Sequence, residues 1–90
     1  MKLKDIIENI ELQAGDQIEV DDFEEFSDVA QDYIEDLFID DEIGGNVQAI
    51  LIQALDRSST IDDFMYIING DKFAQDFKLQ QKFDDKERSK

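Results

Sequence analysis

The stretch Asp21-Asp22-Phe23-Glu24-Glu25-Phe26-Ser27-Asp28-Val29-Ala30-Gln31-Asp32-Tyr33-Ile34-Glu35-Asp36-Leu37-Phe38 decides the fold. Phe23, Phe26, Val29, Ala30, Tyr33, Ile34, Leu37 and Phe38 recur at steps of three and four residues. That spacing lays one apolar stripe along a helix of about four turns. Asp21 or Asp22 can cap its start, and Glu24 and Glu25 suit the positive end of its dipole.

The same period runs outward in both directions. Leu3, Ile6, Ile7 and Ile10 share one face of a first helix that stops near Ala14-Gly15-Asp16. Gln17 to Val20 alternates but is too short to found a sheet. Beyond the central stretch, Gly44-Gly45 ends or follows the second helix, and Asn46 can cap a third. Val47, Ala49, Ile50, Leu51, Ile52, Ala54 and Leu55 nearly encircle that third helix, which predicts a central position. Ser58-Ser59-Thr60 breaks it, and Thr60 with Asp63 resembles a capping box for a fourth. Ile61, Phe64, Met65, Ile67 and Ile68 carry the fourth to Asn69-Gly70. Asp71 can cap a fifth with Phe73, Ala74, Phe77 and Phe83 inward. Residues 84–90 lack an apolar anchor and are expected to fray. The predicted fold is all-α, a small bundle of four to five short helices around one core. A single acidic helical domain spans 1–83, and 84–90 form a frayed C-terminal tail.

Ninety residues make one domain. The chain has 24 acids, 9 bases and no histidine, for a formal charge of −15. A direct nucleic-acid binder needs lysine and arginine to release counterions, so that class is disfavoured. An anionic membrane surface is disfavoured for the same reason. Without cysteine there is no thiol catalysis or thiolate metal site; without histidine the commonest general base and nitrogen ligand are missing. No apolar run approaches the roughly 18 residues of a membrane span. Acids follow the N-terminus where a signal peptide has its apolar segment. These features predict a non-enzymatic cytoplasmic protein, with no cofactor and no metal. At 41% hydrophobic, with seven phenylalanines, the chain is too apolar for a disordered acidic tail.

The charge is unevenly spread. Between Asp5 and Asp56 stand 17 acids and no base, whereas residues 72–90 hold six bases and four acids. Several chemical uses of the acids fail on spacing. Asp40-Asp41-Glu42-Ile43-Gly44-Gly45 has calcium-binding atoms, but a loop starting at Asp40 puts Gly44 at position 5 and Leu51 at position 12, where acids are required. Gly44-Gly45-Asn46 before a helix could cradle a phosphate, yet no lysine follows and acids surround it. Residues 59–68 look like the last helix of an acyl carrier, but the Asp-Ser-Leu triplet of such carriers is missing and Ser27 lies inside a helix.

The wet side of the second helix reads differently. Glu25, Asp28, Asp32 and Asp36 (or Glu35) step by three or four residues, about 6 Å for a four-residue step. Phosphates along one DNA strand rise about 3.4 Å and spiral, so rows of carboxylates approximate their density. Asp5, Glu8, Glu11, Asp16 and Glu19 are candidates for a second row. Like charges at i,i+4 cost about 0.2–0.5 kcal/mol each, and solubility needs only a modest net charge. The candidate partner-binding, phosphate-mimicking residues are Asp21, Asp22, Glu24, Glu25, Asp28, Asp32, Glu35, Asp36, Asp40, Asp41 and Glu42. Phe38, Ile39 and Ile43 are candidates for a homodimer contact.

Asp21-Asp22-Phe23, then Ala30-Gln31-Asp32-Tyr33-Ile34-Glu35-Asp36-Leu37-Phe38, resembles the core of the phage Ocr family of antirestriction proteins. Val47-Gln48-Ala49-Ile50-Leu51 followed by Thr60-Ile61-Asp62 is similar to a later helix of that family. The resemblance covers about half the chain. It implies an acidic, all-helical dimer that mimics bent DNA and fills the DNA groove of a restriction–modification enzyme. The chain differs in its slightly basic segment from Asp71 to Lys90, where the family carries an acidic tail. The expected partner is therefore a DNA-binding protein with a basic cleft. The alternative is an adaptor or antitoxin-like protein that neutralises one basic partner without copying DNA.

Overall fold

The computed structural model describes residues 2–15 and 22–88. Among the described residues five helices follow one another: α1 (Leu3–Gly15), α2 (Phe23–Ile39), α3 (Gly45–Asp56), α4 (Ile61–Ile68) and α5 (Asp71–Arg88). No strand occurs among the described residues, and the all-α bundle expected from the spacing is the fold. Asp16, the stretch Gln17 to Val20 and Asp21 lie outside the described residues.

α3 is the hub. It packs against α2, α4 and α5, while α1 lies on α2. Its near-encircling apolar surface explains the position, because each neighbour needs an apolar face to cover. Val47, Leu51, Ala54 and Leu55 of α3 are buried, and Ile50 and Ile52 are half-buried. Ile6 and Ile10 reach the core from α1, and Phe26, Ala30, Tyr33, Ile34 and Leu37 from α2. Phe26 meets Phe64 of α4 edge to face, with ring centroids 5.6 Å apart.

The ends of α2 have local causes. The Asp22 carboxylate accepts from the Glu25 N–H at 3.0 Å, a helix cap one residue before Phe23. The stop is not glycine. Asp41 takes a left-handed conformation (φ 61), the Glu42 N–H bonds the Leu37 carbonyl at 2.9 Å, and the Asp41 N–H bonds that of Phe38 at 3.2 Å. This pair of bonds is a Schellman close with aspartate where glycine is usual. Gly44 and Gly45 belong instead to the start of α3.

α4 opens as its sequence suggests. Thr60 Oγ1 accepts from the Asp63 N–H at 3.1 Å. The Asp63 carboxylate reaches back to the Ser59 N–H at 3.3 Å, one residue before the cap.

Two expectations for the C-terminal segment are corrected. Phe83 is 49% exposed and does not join the core. α5 continues through the expected tail boundary to Arg88, and Asp84 is only 4% exposed. The anchor is polar rather than apolar. Ser89 and Lys90 lie outside the described residues.

Candidate functional site

Of the phosphate-mimicking candidates, Asp22, Glu24, Glu25, Asp28, Asp32, Glu35, Asp36, Asp40, Asp41 and Glu42 are all exposed. Asp21 lies outside the described residues. α2 sets their arrangement. Burying Phe26, Ala30, Tyr33, Ile34 and Leu37 turns Glu24, Asp28, Asp32 and Glu35 to the opposite side. They form one ridge, with Glu25 and Asp36 along its flank. Ile39 closes the ridge at 70% exposure. Asp40, Asp41 and Glu42 cluster at the helix C-terminus, the negative end of its dipole, where they add to the local field and oppose the helix.

Of the second row expected from α1, Asp5, Glu8 and Glu11 are exposed. Glu8 and Glu11 edge a groove with Ile7, Ile68, Asn69 and Ala74, toward the α4–α5 junction. Asn9 points the other way, and its Nδ2 donates to the Tyr33 hydroxyl at 2.9 Å. Burial pushes the Tyr33 phenol above its ordinary value of 10.0; the Asn9 hydrogen bond opposes this, and the Glu42 and Asp5 carboxylates add to it. Asp16 and Glu19 lie outside the described residues. Among the described residues no three acids converge closely enough to hold a metal ion.

The candidate dimer contact splits. Ile43 is 5% exposed and belongs to the core, so it is not available to a partner. Phe38, 42% exposed, leans over the backbone of Gly45. Ile39 stands clear.

Sequence reasoning missed the most tightly bonded carboxylate. Asp84, on α5, accepts from the Val47 N–H, the Asn46 N–H and Asn46 Nδ2, each at 3.0 Å. It caps α3 from another helix, so Asn46 is a donor to the cap and not the cap itself. Gly44 precedes α3 without a side-chain cap of its own. One signal was present: Asp84 lies seven residues after Phe77, in the register of the buried face of α5. The amides that could have cradled a phosphate are thus taken by the chain's own carboxylate.

The bases sit elsewhere. α5 packs chiefly along α3, and Lys78, Lys82 and Lys86 point outward from it. Among the described residues, the basic segment therefore does not fold back over the α2 ridge. The fold and surface together define a small, charge-segregated five-helix bundle. No protein-family model, curated protein or solved structure matches the chain.

Proposed function

We propose that the chain is an acidic DNA-mimic inhibitor. It would occupy the DNA-binding cleft of a bacterial defence enzyme of restriction–modification type, or of another DNA-processing enzyme, in the bacterial cytoplasm. The observation that carries this reading is the α2 ridge: Glu24, Asp28, Asp32 and Glu35 exposed together, within 52 residues that hold no base. A partner's basic cleft would meet carboxylates where it ordinarily meets phosphates. Association would be fast and salt-sensitive, because the whole acidic field steers the encounter. No bond is made or broken, so no catalytic residue is needed.

One observation favours the alternative, an adaptor or antitoxin-like protein for a single basic partner. Phe38 and Ile39 are exposed at the end of the ridge, and DNA phosphates have no apolar counterpart. Affinity capture from nuclease-treated bacterial lysate separates the two. A mimic releases DNA-binding enzymes when duplex DNA of any sequence is added. Release by salt alone, of one basic protein, would end the mimic reading in favour of the adaptor.

A further inference from the structure

α5 leaves one face without a partner. Phe77 and Asp84 turn inward to α3. On the opposite side Gln75, Leu79, Lys82 and Lys86 follow one another at steps of four, three and four residues, all exposed. Lys78 and Phe83 flank them, and Leu79 and Phe83 are each 49% exposed. Beside Leu79 an open groove runs between α5 and α4, with Met65, Tyr66 and Phe73 in its wall. Arg57 and Lys72 lie at its rim, as do Asp62, Asp71 and Asp76, so the groove itself is mixed in charge. Tyr66, at 84% exposure, projects from it.

The α2 ridge has the complementary pattern. Asp28, Asp32, Glu35 and Ile39 also step by four, three and four residues, and all four are exposed. Such rows rise about 16 Å on both helices. Laid antiparallel, the two rows bring Asp28 to Lys86 and Asp32 to Lys82. Glu35 then lies opposite Leu79 with Lys78 alongside, and Ile39 reaches Gln75 at the groove mouth, near Tyr66. Laid parallel, the rows set Asp32 on Leu79 and Ile39 on Lys86, charge against hydrocarbon at both places. The parallel register makes one opposite-charge pair, Glu35 with Lys82, and puts Ile39 on a lysine; the antiparallel register makes two and keeps Ile39 off the lysines. One molecule cannot make the contact alone, because α2 and α5 both pack on α3 and present these rows outward.

We infer that the outward face of α5 takes the acidic α2 ridge of a second copy of this chain, antiparallel, with Ile39 seated at the α4–α5 groove. The contact joins two different surfaces, so it either closes into a ring or extends. It goes beyond the proposed function and uses three of the same carboxylates, so self-association and partner binding exclude one another. A test on the protein alone keeps the two ideas separable.

That test measures molar mass by light scattering at about 0.15 M salt, where the screening length is about 8 Å and repulsion between whole molecules is damped. One variant carries Lys82→Glu and Lys86→Glu; the other carries Asp28→Lys and Asp32→Lys. From −15, their formal charges become −19 and −11. Wild-type protein should exceed its monomer mass of 10.5 kDa at least twofold at high concentration. Each variant alone should be monomeric, and their equimolar mixture should regain the wild-type mass, since reversed rows match each other. The chain has no cysteine, so a mixture of Asp32→Cys and Lys82→Cys molecules gives an independent readout. It should form a disulfide-linked pair at least tenfold more than Asp32→Cys mixed with Lys2→Cys. A monomeric wild type overturns the inference. So does a mixture that stays monomeric, because the two reversed rows would then fail to recognise each other. A −11 variant that associates more than wild type also overturns it, by showing that net charge alone governs.

Discussion

Gly44 lies against Asp84 so closely that a side chain at position 44 would overlap the carboxylate that caps α3. The backbone of Gly44 is extended, with φ −94, so other residues could adopt its conformation. Glycine is required there for space. Gly44→Ala should push α5 away and strip the cap. Removing the carboxylate by Asp84→Ala should do similar damage, because hydrogen bonds to a charged acceptor contribute about 1.5–3 kcal/mol and their buried donors are left unpaired. Each variant is expected to lose about 2–3 kcal/mol in urea unfolding. A loss below about 0.5 kcal/mol in Asp84→Ala would show that the clasp is incidental.

Asp41 makes the second structural prediction. Left-handed backbone costs an ordinary residue about 1–2 kcal/mol, and a β-branched one tolerates it worst. Asp41→Val should therefore lower stability by about 1–2 kcal/mol and loosen the end of α2. Asp41→Gly removes the side-chain clash and should be far milder; thermal melts of the two variants, side by side, check the sign.

Tyr33 predicts an alkaline weakness. Its folded phenol titrates above the unfolded value of 10.0, so the folded state holds the proton longer than the unfolded chain does. The stabilisation is complete below pH 10 and is lost as pH rises through the folded value. Unfolding free energy should fall above pH 10 in the wild type and fall less in Tyr33→Phe. In a Tyr66→Phe background the phenolate absorbance belongs to Tyr33 alone, because the chain has two tyrosines.

The α2 ridge predicts a conflict between stability and binding. Asp32 has Asp28 four residues before it and Asp36 four residues after it. Asp32→Lys turns both repulsions into attractions and should raise stability by about 0.5–1 kcal/mol. Under the proposed function the binding energy is distributed. Asp32→Asn should change affinity for a basic-cleft partner less than about threefold, while reversing Glu24, Asp28, Asp32 and Glu35 together should weaken it more than about a hundredfold. Loss of all binding in Asp32→Asn would instead indicate one specific contact.

What the sequence made legible was whatever is local or periodic. The apolar spacing of Phe26, Ala30, Ile34 and Leu37 placed α2 and its wet ridge, because one helical period fixes both faces at once. Asp22 and Thr60 were readable as caps since their bonds span three residues. Asp84 was not, because its partners lie 37 and 38 residues away. Hydropathy also misplaced two side chains. Phe83 faces out because Asp84 takes the inward position beside it. Ile43 is drawn inward by the Schellman turn at Asp41, which no local pattern of glycines announced.

The reach of Asp84 has a consequence for the order in which the chain becomes complete. A ribosome delivers Val47 thirty-seven residues before it delivers the carboxylate that caps it. Through that interval the hub helix emerges with its first amides open to water and its α5-facing side uncovered. Its neighbours α2 and α4 then have only a provisional surface to settle on. The contact that fastens the first turn of the central helix thus has to wait until position 84 has been synthesised.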